Sequence, residues 1–246
     1  ASARINRLLY ESLVDFDGQS KPAPSLASWV AVSPADYHFT LKAHHALFHN
    51  QTPLTAYDVK ATYDSLVALK DSPHAAEFVN IEHIEAVDDD TVIFHLKQAD
   101  KDFPAKLTIG ILPNALIVKG HDFSHDAVGS GPLKLLTWQN KLMLKRTRDN
   151  QLINLIEVKD PTVRVLKLLR GEVDLLQGEL PPELIKYLQA KPEIIVNISI
   201  GANFSYFGLN MRDSILQKLK VRVAIAHAID RDAIIQKVMV SNTRLA

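Results

Sequence analysis

Histidines and carboxylates are the residues of this chain whose types and spacing could hold a metal ion or transfer a proton. His44, His45 and His49 cluster, and His121 lies four residues before His125. Imidazole is a common metal ligand, but ligating histidines are normally oriented by a nearby carboxylate. The first cluster has no such carboxylate, and Gly120 places the second in a loop. We predict solvated surface histidines and no metal site.

The evidence for other catalytic residue groups is also weak. Asp88, Asp89 and Asp90 lie at a predicted hairpin tip, where aspartate is favoured for turn geometry. The chain has no cysteine, and it shows no nucleophile elbow, phosphate loop, dinucleotide fingerprint or zinc-protease motif. We therefore predict a protein that is not an enzyme and needs no cofactor.

A glycine-rich tetrapeptide, Gly129-Ser130-Gly131-Pro132, concentrates turn formers in a short window. Pro132 lacks the backbone donor that a phosphate cradle would use. The tetrapeptide is predicted to be a turn or hinge.

An aromatic segment carries the strongest hint of a ligand. In a strand, alternation would place Asn203, Ser205 and Phe207 on one face, and Phe204 and Tyr206 on the other. Such a strand could be packed on both sides, or it could line a cleft, because ligand pockets combine apolar walls with a few polar groups. The sequence alone leaves both interpretations open.

Composition restricts the class of protein further. The chain has 246 residues, with 28 basic and 28 acidic side chains, and 47% of its residues are hydrophobic. These values are typical of a soluble globular protein, and the zero net charge argues against a nucleic-acid partner. Residues 1–7 carry no apolar core of a signal peptide.

The elements that must position these residues alternate between strand and helix. The first part predicts a strand over 37–41, a helix that begins at Thr55 with Asp58 in a capping box, and a hairpin over 81–97. The second part predicts strands over 152–158, 172–177, 193–200 and 203–210. Its predicted helices cover 161–170, 182–190, 219–229 and 231–239, with Asp160 and Asp230 as N-caps. This alternation indicates an α/β fold.

Nine segments, in order, resemble the oligopeptide-binding group of extracytoplasmic solute-binding proteins, family 5, of ABC importers. Residues 9–14 (LYESLV) are similar to the family's iYEgLv, and residues 129–132 (GSGP) stand where GTGP does. The other similar segments are 25–29, 37–41 with 48–50, 54–59, 170–174, 208–210, 221–224 and 228–231. The family's rNpdYw stretch is replaced here by residues 148–151 (RDNQ), and Asn50 stands where glycine is usual.

The resemblance implies a two-lobed, periplasmic binding protein type II-like fold about twice the length of this chain. Residues 1–120 would form the small family-specific subdomain. Residues 121–246 would form the α/β part of the first lobe, up to the crossover into a second lobe that is largely absent. In relatives, the strand aligned with 203–207 and the loop aligned with Ser72 and His74 border the ligand cleft.

The function implied is capture of peptides in the periplasm, or another extracytoplasmic space, for delivery to the membrane permease subunits. The resemblance implies a monomer with no resident cofactor. Two alternatives remain open: a ligand-sensing domain of a transcription regulator, and a binder of a nickel chelate or another small solute.

Overall fold

A computed structural model of the chain describes residues 2–42, 46–69, 75–138, 141–178, 180–198 and 205–239. Residues 1–156 and 157–246 form two compact units, which are described separately below. The division into subdomains at residue 120 stays a prediction. Among the described residues, no helix combines the length and apolar character that a membrane span requires.

The described part of the first unit contains four helices and nine strands. Its strands are β1 (Val14–Phe16), β2 (Pro22–Pro24), β3 (Ala27–Ser33), β4 (Asp36–Leu41), β5 (Ile81–Ala86), β6 (Thr91–Leu96), β7 (Leu133–Trp138), β8 (Leu142–Arg146) and β9 (Leu152–Leu155). Its helices are α1 (Ser2–Leu9), α2 (Ala56–Ala68), α3 (Ala75–Phe78) and α4 (Asn114–Val118), with a 3₁₀ turn at Phe103–Lys106.

A four-stranded antiparallel sheet in the order β3-β4-β6-β5 forms the centre of this unit. Tyr37, Phe39 and Leu41 are buried on one face of β4, and alternate residues of β6 are buried in the same way. The predicted strand at 37–41 and the predicted hairpin are therefore confirmed. The two-residue periodicity reflects a sheet that packs one face against the core.

Helix α2 covers that buried face, and its start follows from local chemistry. The Asp58 carboxylate accepts hydrogen bonds from the Thr55 backbone N–H at 2.8 Å and from the Thr55 hydroxyl at 2.9 Å. The same carboxylate accepts the Asn114 N–H at 2.7 Å, which joins α2 to α4. The predicted capping box is thus confirmed. Val59 and Tyr63 are fully buried beneath the helix.

Aromatic rings fill the space between the sheet and α2. Phe94 lies with its ring centroid 5.5 Å from Phe39, 5.4 Å from Tyr63 and 5.4 Å from Phe103. Tilted and edge-to-face pairs at these distances each add about 0.5–1.5 kcal/mol beyond the burial of apolar area. Phe94 is therefore the centre of this core.

A smaller core lies against a three-stranded antiparallel sheet, β7-β8-β9. Leu9 at the end of α1 packs with Leu133 of β7 and with Leu142 and Leu144 of β8. This contact places the chain segment that follows α1 next to the start of β7.

The second unit is helical in its described part. Its helices are α5 (Pro161–Leu169), α6 (Pro182–Gln189), α7 (Leu219–Ala228) and α8 (Arg231–Ile234), followed by a π-helical turn at Ile235–Met239. The carboxylate of Asp160 accepts the Val163 N–H at 2.8 Å, and that of Asp230 accepts the Ala233 N–H at 2.9 Å. The predicted helices and N-caps are confirmed.

Three predicted strands are not formed in their described parts, 172–177, 193–198 and 205–210. A strand needs a neighbour to pair its backbone N–H and C=O groups, and the described residues of 157–246 contain no strand. Ile195 is 87% exposed and Tyr206 is 79% exposed. The apolar pattern shows that these segments could form strands, but a strand also needs a partner to pair with.

Candidate functional site

The glycine-rich tetrapeptide packs directly against the C-terminal end of α1. The Gly131 N–H donates to the Leu9 carbonyl at 2.9 Å. A Cβ at Gly129 would lie 2.0 Å from the Leu9 carbonyl oxygen, and a Cβ at Gly131 would lie 2.6 Å from the Leu8 carbonyl oxygen. Both positions therefore require glycine because two backbone segments meet there. The predicted hinge role of Gly129, Ser130, Gly131 and Pro132 stays a prediction.

His49 fixes the same loop from the other side. Its backbone N–H donates to the Gly129 carbonyl at 2.7 Å, and its Nδ1 accepts the Gly129 N–H at 3.4 Å. Its Nε2 lies 2.9 Å from the Gly131 carbonyl oxygen. Because Nδ1 accepts and a carbonyl can only accept, the proton is on Nε2 and the imidazole is neutral. Burial of the ring lowers the pKa of His49 below its usual value.

This arrangement corrects the prediction that His49 is a solvated surface histidine. The side chain is buried, and both ring nitrogens are used by the loop. Sequence reasoning missed it because its partners lie about 80 residues further along the chain. The one available signal was that Phe48-His49-Asn50 belongs to a segment resembling the family pattern. His44 and His45 lie outside the described residues.

The substitution His49→Gln is expected to lower the free energy of unfolding by about 1–3 kcal/mol at pH 8. The buried Gly129 N–H and Gly131 carbonyl would lose their hydrogen bonds to the imidazole. The difference between wild type and variant should shrink as the pH falls below 6.5. The unfolded histidine takes up a proton near that pH, whereas burial lowers the pKa of the folded one. The wild type therefore loses stability on acidification that the variant does not lose.

Urea titrations at pH 8 and pH 5.5 measure this effect. His125→Gln is the matched control, because the His125 side chain is 82% exposed, and its effect should stay within about 0.5 kcal/mol. An equal effect of the two substitutions at pH 8 would show that His49 does not fix the loop.

Two half-buried titratable groups, Tyr10 and Glu11, lie near the glycine-rich loop. Burial, reinforced by the charge of Asp126, raises the pKa of Tyr10 to about 12. Burial also raises the pKa of the Glu11 carboxyl, and the nearby Ser130 hydroxyl partly offsets this effect. The Ser130 Oγ is itself buried and makes no hydrogen bond of good geometry with any described residue. These groups sit against the glycine-rich loop in a poorly hydrated place.

A cavity of about 360 Å³ lies beside this loop, at Ser130 and Gly131. Its wall includes Phe48, His49, Gln51, Ser130, Lys134 and Lys145. The described side chains that line it therefore bring together the 47–51 segment, the loop and strands β7 and β8.

The residues predicted to border a ligand cleft lie elsewhere in the chain. Ser205, Tyr206 and Phe207 are in the second unit, exposed and outside any strand. Asn203, Phe204, Ser72 and His74 lie outside the described residues. Their role at a cleft therefore stays a prediction.

A metal centre finds no support in the part of the chain that the structure describes, where no three His, Cys, Asp or Glu side chains come together in a suitable arrangement. His121 and His125 lie in a loop as predicted. Their nitrogens contact the Asp126 backbone carbonyl and the Asp122 carboxylate, each at 2.8 Å.

The sequence of this chain is similar to those of known proteins. Residues 21–246 match the family model described as bacterial extracellular solute-binding proteins, family 5, middle. A Brucella ovis protein named as an ABC transporter peptide-binding protein is 28% identical, over 92% of this chain and 46% of its own length.

Solved structures agree in fold. The periplasmic binding protein DppA of Helicobacter pylori, in complex with the peptide STSA, is 26% identical with a TM-score of 0.74, over 94% of this chain and 52% of that chain. NikA of Brucella suis, in complex with Fe(III)-EDTA, is 23% identical with a TM-score of 0.84, over 98% of this chain and 53% of that chain.

The chain belongs to the bacterial extracellular solute-binding proteins, family 5. The periplasmic binding protein type II-like fold predicted from the sequence is confirmed by the structural matches. The chain spans about half the length of the curated relatives it matches.

Proposed function

We propose that this chain is part of the substrate-binding component of an ABC importer, which captures peptides outside the cytoplasm and delivers them to the membrane permease. The family match over residues 21–246 carries the proposal. Peptide is the proposed cargo because the Brucella ovis relative is named for peptide binding and DppA is complexed with a peptide. The family is one of transport proteins, so the proposal includes no catalytic step.

The proposed mechanism is capture by closure. A ligand that contacts both lobes only in the closed state shifts the open–closed equilibrium towards closure, and the closed form docks on the permease. In this scheme residues Ser72, His74 and 203–207 border the cleft, and the loop from Gly129 to Pro132 lies at the hinge. Backbone hydrogen bonds to the peptide would provide affinity without a strict requirement for its sequence.

Isothermal titration calorimetry of a mixed peptide pool tests this scheme. We expect saturable binding in the micromolar range by the intact protein, and at least about 100-fold weaker binding by the 246-residue chain alone. The chain spans about half of its relatives, so it would offer only one side of the closed cavity. Micromolar binding by the 246-residue chain alone would contradict the capture mechanism.

The choice of cargo needs a separate arm of the same experiment. A nickel–histidine chelate is titrated beside the peptide pool, at the same protein concentration. Saturable binding of the peptides and not of the chelate supports the proposed cargo. Binding of the chelate alone would overturn it and leave the importer class intact.

A further inference from the structure

Two lysines face each other in the wall of the cavity beside the glycine-rich loop. Lys134 of β7 and Lys145 of β8 are direct partners in the antiparallel register, and both line the cavity. Like charges directly opposite each other on neighbouring strands destabilise a sheet. A negative charge beside both ammonium groups would offset this repulsion.

The described part of the protein does not provide that charge. None of the described residues that line the cavity is Asp or Glu. Lys134 Nζ donates to the His49 backbone carbonyl at 3.0 Å, which leaves further N–H groups on that ammonium. The Lys145 ammonium forms no ion pair or hydrogen bond with any described residue. Glu11, which approaches Ser130, is not among the lining residues.

The side-chain amides of Gln51 and Asn150 also line the cavity, and both residues have a positive φ. Their φ angles are +70° and +63°, in the left-handed region that disfavours residues with a Cβ. Both residues lie in tight turns, in which the Gln51 N–H donates to the Phe48 carbonyl at 2.8 Å and the Asn150 N–H donates to the Arg146 carbonyl at 2.9 Å. Side-chain amides donate readily to oxyanions and complement the two ammonium groups.

We propose that this cavity binds a small oxyanion, either free or as the acid group of a small solute. Two ammonium groups without a carboxylate make charge-assisted hydrogen bonds to such a group, and amides next to them add neutral donors. The volume of about 360 Å³ falls in the range of small-ligand sites and leaves room for more than the acid group. The neutral His49 lines the cavity, and its hydrogen bonds hold the glycine-rich loop in place. This site is independent of the cargo proposed above.

Calorimetry of the intact protein with sodium sulfate, at ionic strength held constant with sodium chloride, tests the proposal. Wild type should bind sulfate saturably, and Lys145→Gln should weaken binding by at least about tenfold because one of the two ammonium groups is lost. Without sulfate the Lys145→Gln protein should be at least as stable as wild type, since a repulsive pair is removed. A loss of affinity therefore cannot be attributed to unfolding.

Lys141→Gln is the matched control, because Lys141 is exposed, immediately precedes β8 and does not line the cavity. Its affinity for sulfate should stay within about twofold of wild type. A second arm uses sodium acetate. Saturable binding of sulfate alone supports a tetrahedral oxyanion, and binding of acetate as well supports a carboxylate-bearing solute. No saturable binding of either probe, or equal affinities of wild type and Lys145→Gln, would overturn the proposal.

Discussion

Gly129→Ala is expected to lower the free energy of unfolding by about 3 kcal/mol or more, at the upper end of overpacking effects. The new Cβ would lie 2.0 Å from the Leu9 carbonyl oxygen and 2.6 Å from Tyr10 Cδ1. A flexible side chain could rotate away from such a contact, but a backbone carbonyl cannot. The loop would separate from the C-terminal end of α1, and the hydrogen bonds from His49 to the loop would be lost. Urea titration followed by tryptophan fluorescence measures the change.

Gly18→Ala controls for the substitution itself. No atom lies within 4 Å of a Cβ built at Gly18, so the change in stability should stay within about 0.5 kcal/mol. If Gly129→Ala were as stable as Gly18→Ala, the close packing of the loop against the C-terminal end of α1 would be wrong.

Phe94→Ala is expected to lower the free energy of unfolding by about 3–5 kcal/mol. Phe94 has no exposed surface, and it contacts Phe39, Tyr63 and Phe103 at centroid distances of 5.4–5.5 Å. Removing it leaves a cavity bordered by rings from the sheet, α2 and the 3₁₀ turn, which cannot all move inwards. The midpoint of urea unfolding should fall without a change in its slope.

Phe16→Ala removes the same side chain from an exposed position of β1. Phe16 is 42% exposed, so its loss should lower stability by about 1 kcal/mol at most. Equal effects of the two substitutions would contradict the placement of Phe94 at the centre of the core.

The features predicted correctly from the sequence depend on local chemistry. The caps at Thr55, Asp160 and Asp230 involve groups no more than three residues apart. The hairpin of β5 and β6 joins adjacent segments whose alternation specifies the buried face. Periodicity and capping report such contacts because every partner lies within the same short window.

The predictions that failed depend on partners distant in the sequence. The segments 193–198 and 205–210 have the composition of strands, but their pairing needs a neighbour that the described part of residues 157–246 does not provide. His49 resembled a surface residue because nothing near it in the sequence indicates a contact with Gly129 and Gly131.

In the candidate sites, too, the sequence predicts local features but not contacts between distant segments. Turn chemistry identified the tetrapeptide from Gly129 to Pro132, but the reason for its glycines is a close approach to Leu8 and Leu9. The cavity is formed by segments separated by more than 75 residues, 47–51 and 130–150. The pairing of Lys134 with Lys145 follows from strand register, which the sequence alone did not specify.

Native mass spectrometry of the intact protein, purified without unfolding, tests most directly whether it is a solute-binding protein that captures peptides. The account predicts a folded protein that carries bound molecules of peptide mass, which fragment into amino-acid ladders after release. Added peptides should exchange with the bound ones. A folded protein that carries no ligand and retains none after incubation with a mixed peptide pool would contradict the account.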